Sequence, residues 1–249
     1  MLFDFRVFLG ESYDGNRQTV NDLLTSMDAL DIDMALVCPF KPLSYDLEKA
    51  NRDLSNTLEK HTDRLLGAAR IDPWQLNAAG SLISAVEDLG MRALFLNPWE
   101  ENFQADNKQL DELMSTASEI HLPVSIASGY PWVSEASQVG RLAARWPQVP
   151  IVMTNGGQIN ISGLGQAGAE LALNQQDNLF FDTAGIYRQD FIEDMVEELN
   201  GERVLFASSS PYFDQAYEIK RIQVAKISED DRLKIAVNNA QRLLGIEID

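Results

Sequence analysis

An aspartate and an arginine alternate in the first strand-like stretch of the chain, residues 2–10, at positions 4 and 6. Side chains in a strand have a period of two, so Asp4 and Arg6 share one face with Phe8. The other face is apolar and consists of Phe3, Phe5 and Val7. We expect helices to cover the apolar face, which points Arg6 into a barrel or crevice where ligands bind.

Arg6 is the first candidate for ligand binding, because a guanidinium pairs with a carboxylate or phosphate through parallel hydrogen bonds. Its partner could be an aspartate of the chain, Asp4 or Asp72, in a structural ion pair. Alternatively, Arg6 and Arg70 together could hold a ligand carboxylate or phosphate. Asp4 and Asp182 are the candidate general bases, provided that burial or neighbouring charges tune their pKa values.

Hydroxyl and amide side chains follow several predicted strands and could hydrogen-bond a ligand. Those that could surround a ligand next to Arg6 are Asn155, Ser128, Thr183 and the three serines at 208–210, which include Ser209. We assign Asn155 to the candidate catalytic group, together with the two aspartates, and Ser128 and Ser209 to the candidate binding group.

Aromatic residues are concentrated in the loops that follow the predicted strands. They are Trp74, Trp99, Trp132, Tyr13, Tyr45, Tyr130, Tyr187 and Tyr212. The clustering either caps the core of the barrel or forms an aromatic-walled pocket for a small planar ligand. In the second case Tyr130, Trp132 and Tyr212 are candidate substrate-binding residues.

Eight predicted strands position these residues, and each is followed by a predicted helix. The strands are 2–10, 33–38, 65–71, 93–96, 123–127, 151–153, 179–182 and 204–207, and the helices are 19–30, 47–60, 76–89, 108–120, 134–145, 164–173, 188–199 and 214–226. A last helix, 229–244, begins after Ser228 as N-cap and ends at Gly245.

This strict alternation predicts an α/β fold, a (β/α)8 TIM barrel with an additional C-terminal helix, although an open doubly wound sheet produces the same local pattern. No linker or repeat interrupts the alternation, so we expect one barrel domain over residues 1–249. In either architecture the functional residues follow the carboxyl ends of the strands.

The composition excludes several classes of partner. The 249 residues include 38 acidic and 20 basic ones, and the net charge of -18 disfavours nucleic acid and membrane surfaces as partners. The single cysteine, Cys38, provides no disulfide framework, and no stretch has the pattern of a leader or a membrane span. We therefore expect a cytoplasmic protein whose partner is a small anionic molecule, and a homo-oligomer is left open.

Eight short motifs occur in an order typical of one family. They are DFRVFLG at 4–10, GAARIDP at 67–73, GMRALFLNP at 90–98, LPVSIASG at 122–129, NGG at 155–157, FDTAG at 181–185, LFASSSP at 205–211 and NAQRL at 239–243. Together they resemble the amidohydrolase-related branch of the amidohydrolase superfamily, which contains metal-dependent TIM-barrel hydrolases and decarboxylases. The resemblance covers nearly the whole chain and implies a barrel with its site at the carboxyl ends of the strands.

The resemblance also implies a metal site that this chain does not reproduce. The family pattern places two histidines on the first strand, a third after the fifth strand, a catalytic histidine before a Gly-Gly pair and an aspartate after the eighth strand. The residues at these positions are Arg6, Phe8, Ala127, Asn155 and Ser209. All five metal-binding or catalytic positions are therefore changed.

The residues themselves also argue against a bound transition metal. Only two histidines exist, His61 and His121, and both are predicted at helix ends on the opposite side of the barrel. Carboxylates near strand ends, such as Asp4 and Asp182, could hold Mg²⁺, but the fixed charge of Arg6 opposes a second cation there. We expect no metal and no cofactor.

Two functions compete on these grounds. One is a hydrolase or lyase that acts without a metal on a small carboxylated compound, which could be aromatic or a lactone. The other is a catalytically inactive barrel that binds a ligand or a partner protein.

Two further motifs carry less weight. The glycines at 163, 165 and 168 fit a dinucleotide fingerprint but lack a strand directly before them, so glycines in a loop explain them adequately. Cys38 could be a nucleophile, but no histidine is available to activate it, which favours a buried packing thiol.

Overall fold

The computed structural model describes residues 1–158 and 165–247. One curled sheet runs through the molecule, and its strands are β1 (Phe3–Glu11), β2 (Arg17–Gln18), β3 (Met34–Pro39), β4 (Leu65–Arg70), β5 (Ala93–Leu96), β6 (Val124–Ile126), β7 (Ile151–Met153), β8 (Leu179–Asp182) and β9 (Val204–Leu205). The order is β2-β1-β3-β4-β5-β6-β7-β8-β9. Only the β1–β2 pair is antiparallel among these strands.

Backbone hydrogen bonds between β1 and the segment around β9 close the sheet into a barrel. Phe5 N donates to Phe206 O over 2.9 Å, and Phe8 N donates to Ser210 O over 2.8 Å. In return, Ser209 N donates to Arg6 O over 2.8 Å. An open doubly wound sheet would leave these groups at two separate edges, so the predicted TIM barrel is confirmed.

Helices surround the barrel: α1 (Val20–Ala29), α2 (Leu47–Leu58), α3 (Ala78–Glu87), α4 (Asp111–Glu119), α5 (Ala136–Arg145), α6 (Gln166–Gln175), α7 (Gln189–Glu198), α8 (Gln215–Val224), α9 (Glu229–Leu233) and α10 (Asn239–Leu244). Local sequence determines several helix starts. Thr19 forms a capping box with Asp22, and the Asp214 side chain accepts from Tyr217 N. No helix within 1–158 or 165–247 is long and apolar enough to cross a bilayer.

The predicted alternation agrees with the structure in all eight strand–helix units, with two additions. The short strand β2 was not predicted, because two residues carry no periodic signal. The predicted last helix is divided into α9 and α10 by a π-helical turn over Lys234–Asn238. Its predicted N-cap Ser228 and its left-handed end at Gly245 are as expected. The predicted start of the helix at 164–173 lies outside the described residues.

Two apolar layers hold the barrel together, one inside the ring of strands and one between strands and helices. The inner layer includes Phe3, Phe5, Phe8, Leu36, Phe95, Val152 and Leu205. The outer layer includes Val7, Leu9, Val37, Leu94, Ile151 and Phe181, which pack against the helices. Side chains of successive strand residues alternate between the two layers, as the pleat requires.

A bulge in β1 overturns the predicted assignment of its two faces. The pairing with β3 runs from Asp4 opposite Ala35 to Val7 opposite Val37, so β1 contains one extra residue between them. Because a bulge shifts the alternation by one residue, Phe5 and Phe8 both point into the barrel. The expected apolar outer face that includes Phe3 and Phe5 is therefore wrong; both belong to the inner layer.

Candidate functional site

A cavity of about 280 Å³ opens at the carboxyl ends of the strands. Polar side chains at its base include Arg6, Thr154, Asn155, Gln158 and Ser209, and its walls include Phe8, Phe95, Trp99, Tyr130, Tyr212 and Phe213. Asp14, Glu100 and Tyr13 also line it. This volume suits a small ligand, and the mixture of aromatic walls with a few convergent polar groups is typical of a small-molecule site.

The guanidinium of Arg6 is held by three residues from β8 and the loops after β7 and β9. Nε and Nη2 donate to the two carboxylate oxygens of Asp182 over 2.8 and 3.1 Å. Nη1 donates to Ser209 Oγ over 2.6 Å, and Nη2 also donates to Asn155 Oδ1 over 3.3 Å. A guanidinium has five N–H donors, so one Nη1 hydrogen has no protein partner among the described residues.

The carboxylate of Asp182 is fully buried and accepts more than the Arg6 hydrogen bonds. Its Oδ1 also accepts from Asn155 N over 2.8 Å and from Ala184 N over 3.3 Å. A carboxylate in this position fixes the arginine and the loop after β7 at the same time. The predicted base Asp182 is therefore next to the cavity, but its oxygens are engaged with the protein.

Asn155 connects the same loops. Its Oδ1 accepts from Arg6, and its Nδ2 donates to Ala184 O over 2.8 Å. Its backbone is left-handed with φ 55°, as are Gly156 and Gly157 that follow. At Gly156 a Cβ would lie 2.8 Å from the side chain of Ile186, so the tight turn at 154–157 needs this glycine.

Asp4 does not face the cavity, contrary to the prediction from alternation. The bulge leaves Asp4 on the outer side of β1, where it accepts from Ser208 N over 2.8 Å, Ser208 Oγ over 2.5 Å and Gln215 Nε2 over 3.0 Å. Burial raises the pKa of Asp4. Neither predicted partner pairs with the Arg6 guanidinium among the described residues. From Arg6, Asp4 accepts only the backbone N–H, over 3.5 Å, and the carboxylate of Asp72 accepts from a backbone N–H in its own loop.

Arg70 lies behind the cavity wall in a separate ion-pair cluster. Its Nη2 donates to Glu100 Oε2 over 2.6 Å and to Glu101 Oε1 over 2.7 Å. Lys41 Nζ lies 3.7 Å from the same Glu101 oxygen. Two cations and two anions balance in this cluster, and Arg70 is absent from the cavity lining. The structure therefore does not bring Arg70 and Arg6 together on one ligand-binding surface.

The predicted hydroxyl and aromatic residues divide into two groups. Tyr130, Tyr212 and Ser209 line the cavity, where the Tyr130 ring stacks on Trp99 with centroids 5.5 Å apart. Ser128 is buried and absent from the cavity lining, and its hydroxyl donates to Ile126 O over 2.7 Å. Trp132 is 79% exposed and absent from the cavity lining.

The tyrosine hydroxyls at the cavity remain protonated near neutral pH. Burial, followed by the charge of Glu100, raises the pKa of Tyr13, Tyr130 and Tyr212. These phenols therefore keep an O–H group that can donate a hydrogen bond. The thiol of Cys38 is also protonated, because burial raises its pKa to about 12. This agrees with a packing role for Cys38.

The donor set does not fit a bound metal ion. Within residues 1–158 and 165–247, no cluster of three or more histidine, cysteine, aspartate or glutamate side chains could hold one. Asp182, the carboxylate beside the cavity base, is paired with a guanidinium whose fixed charge opposes a cation. His61 and His121 lie in the turns that precede β4 and β6, at the amino ends of the strands.

Five polar lining residues were not predicted as site residues: Asp14, Asn97, Glu100, Thr154 and Gln158. Thr154 and Gln158 flank the Asn-Gly-Gly turn, a position that could have drawn attention to them. The other three lie in loops after β1 and β5, and only their place after a strand could have identified them. Of the glycine motif, Gly163 lies outside the described residues.

Comparison of the fold with solved structures shows the same barrel. The 5-carboxyvanillate decarboxylase from Sphingomonas paucimobilis superposes with a TM-score of 0.80 over 99% of each chain, at 17% sequence identity. A dihydroxybenzoic acid decarboxylase from Polaromonas sp. JS666, solved with bound manganese and the inhibitor 2-nitroresorcinol, gives a TM-score of 0.77 at 16% identity. The alignment covers 98% of this chain and 96% of that one.

Two sequence comparisons extend this result. The γ-resorcylate decarboxylase of Rhodococcus jostii (strain RHA1) is 35% identical over 71 residues, which are 28% of this chain and only 22% of that protein. The amidohydrolase family profile matches residues 39–246. Because this match covers most of the chain, and the barrel agrees with it, the chain belongs to the amidohydrolase family.

Proposed function

We propose that this chain is a lyase that removes the carboxyl group of a small aromatic acid bound in the cavity, and that Arg6 acts there in place of a metal ion. Decarboxylases of carboxylated phenols among the related proteins support a lyase rather than a hydrolase. The observation that carries the proposal is the orientation of the Arg6 guanidinium, held by Asp182 with one Nη1 hydrogen unused by the described residues.

The cavity offers complementary places for the two parts of such a ligand. The carboxylate accepts from the unused Nη1 hydrogen and from the hydroxyls of Thr154 and Ser209. The aromatic ring packs against the stacked pair Trp99 and Tyr130 and against Tyr212, all of which line the cavity. Offset or edge contacts with these rings stabilise a planar ligand by about 0.5–1.5 kcal/mol each.

The reaction needs a proton as well as a binding site. Breaking the bond between ring and carboxylate releases CO₂ and leaves the electron pair on the ring carbon, to which a proton must be added. The phenols of Tyr130 and Tyr212 carry protons at neutral pH and line the cavity, so either can supply this proton and regain one from solvent. In this role they replace Asp182 as the proton-transfer group.

One observation favours a second function, ligand binding without turnover. Asp182 accepts hydrogen bonds from three residues, Arg6 among them, so its carboxylate oxygens are occupied by the protein and are not turned toward a ligand. A barrel of this kind would bind an aromatic acid and leave it unchanged.

The decisive experiment incubates chelator-treated protein with 2,6-dihydroxybenzoate and with 5-carboxyvanillate, and follows CO₂ release and loss of the acid by chromatography. The proposal expects product in the chelator, no increase on adding Mn²⁺, and loss of product in Arg6→Ala. A rise in melting temperature with either acid but no product identifies a binding protein. Turnover that appears only with Mn²⁺ overturns the metal-free part.

A further inference from the structure

Gln158 lines the cavity, yet neither atom of its amide has a hydrogen-bond partner among the described residues. The residue is 3% exposed. Buried amides are ordinarily paired, because an unpaired buried donor or acceptor keeps its full desolvation cost. Arg6 and Asn155 at the same cavity have protein partners for most of their polar groups. Gln158 therefore differs from Arg6 and Asn155 in having no hydrogen-bond partner for its side chain among the described residues.

The backbone holds Gln158 in this position. It ends the tight turn after β7, and its N–H donates to Asn155 O over 3.0 Å. The preceding Gly157 is left-handed with φ 70°, and a Cβ there would lie 2.6 Å from the sulfur of Met153. A turn packed this tightly against the core cannot rotate freely. The backbone that carries the Gln158 side chain is therefore fixed at the cavity.

We propose that Gln158 determines which ligands the cavity accepts, by binding a hydrogen-bond donor and an adjacent acceptor of the ligand at the same time. A primary amide presents a donor, Nε2–H, next to an acceptor, Oε1. A ligand satisfies both atoms when it carries, for example, a hydroxyl beside a carboxylate. A plain carboxylate has acceptors only and leaves Oε1 unpaired.

The inference rests on the proposed function, because it assumes that an aromatic acid enters this cavity. It adds a specificity-determining residue and a requirement on the ligand. Sites built to hydrogen-bond a particular ligand group discriminate strongly against analogues that lack it, since their own buried groups are then left unpaired.

The test compares the dissociation constants of three probes, 2-hydroxybenzoate, 2-methoxybenzoate and benzoate, in the wild type and in Gln158→Leu. Only the first probe supplies both donor and acceptor. We expect the wild type to bind it at least about fivefold more tightly than the other two, the effect of roughly one hydrogen bond. In Gln158→Leu the three constants should fall within about twofold of each other.

Stability measurements separate this role from a structural one. Leucine removes two unpaired polar atoms, so the melting temperature of Gln158→Leu should equal or exceed that of the wild type. The matched control is Gln138→Leu, where a similarly buried glutamine accepts from Glu135 N and donates to Trp132 O over 2.9 Å each. It should lower the melting temperature and keep the wild-type order of the probes.

Two outcomes overturn the inference, and a third concerns its premise. If the wild type binds all three probes equally, or if Gln158→Leu discriminates among them as the wild type does, Gln158 does not select the ligand. In both cases the probes still bind the cavity, so the proposed function is not contradicted. If no probe binds the wild type and neither acid of the turnover experiment does, the proposed function fails and the inference fails with it.

Discussion

Arg6 and Asp182, 176 residues apart in sequence, form a two-point ion pair with N–O distances of 2.8 and 3.1 Å inside the barrel. The pair joins β1 to the end of β8, and its side chains are 6% and 0% exposed. A buried pair of this geometry is worth little compared with an apolar pair of the same volume, but breaking it is costly. This asymmetry makes its role measurable.

The first prediction concerns that asymmetry. Arg6→Ala leaves the Asp182 carboxylate buried without its cation and should lower the free energy of unfolding by about 3–5 kcal/mol. The double variant Arg6→Met with Asp182→Leu should recover part of this loss, because it removes the buried charge but also removes the acceptor for the N–H groups of Asn155 and Ala184. Urea denaturation at neutral pH measures both. Removing the exposed pair through Arg188→Ala should leave the free energy of unfolding nearly unchanged, because solvent screens both charges. Equal losses in the single and double variants would contradict the ion-pair account.

The second prediction concerns the turn that carries Asn155. Gly156→Ala places a Cβ 2.8 Å from Ile186 and 2.9 Å from Phe191, in a left-handed backbone, and should lower stability by about 1–3 kcal/mol. The matched change Gly168→Ala lies in α6, where a Cβ meets no described residue within 4 Å, and should raise stability by roughly 0.5–1 kcal/mol. Thermal denaturation that moves both variants in the same direction would refute this.

The third prediction concerns the pH dependence of stability. Burial raises the pKa of Glu218 to about 7, against the opposing effects of Arg221 and of the hydrogen bond from Gly185 N. The folded chain then binds this proton more tightly than the unfolded chain. Stability from this group is consequently full below about pH 4.5 and is lost as the pH rises to about 7, by at most about 1.4 kcal/mol per pH unit.

Glu218→Gln removes the group that binds this proton, so its titration no longer contributes to the free energy of unfolding. The variant should gain stability relative to the wild type between pH 5 and pH 8, because only the wild type has to bury a charge at the higher pH. Denaturant unfolding at a series of pH values measures the difference. Parallel stability profiles of the two proteins would show that the Glu218 carboxyl does not titrate in this range.

The fourth prediction concerns metal ions. Since Arg6 is fixed beside Asp182, its positive charge opposes a cation at this end of the cavity, and added Mn²⁺ or Zn²⁺ should not raise the melting temperature. Chelation should leave it unchanged as well. Elemental analysis of the purified chain provides an independent check. One tightly bound ion per chain, with a lower melting temperature after chelation, would contradict the prediction.

The barrel could be predicted from sequence because the strand and helix periods alternate eight times, and each change of period is a local signal. The position of Asp4 could not. A bulge within β1 adds one residue, and a single sequence gives no sign of where a strand departs from its period. Reading the alternation straight through placed Asp4 with Arg6 and placed Phe5 on the wrong face.

The contacts of the site were harder to predict than its location. Arg6, Asn155, Ser209, Tyr130 and Tyr212 were expected at the carboxyl ends of the strands, and all five line the cavity. Which acid would pair with Arg6 depends on side chains that meet only in three dimensions, and several aspartates near strand ends gave the same signal. The partners of Arg70, Glu100 and Glu101, were missed for the same reason, because they follow the neighbouring strand β5.

The hydrogen bonds that close the barrel also determine when the site can form during synthesis of the chain. Arg6 and Ser209, which meet at the cavity, are 203 residues apart, and the backbone bonds around them join the first strand to the last. During synthesis on a ribosome, a chain that has not yet released its final strand has no Ser209 to meet Arg6. Ligand binding is therefore withheld until the segment that carries Ser209 has been synthesised and released, and before then the growing chain has no complete site for a ligand to occupy.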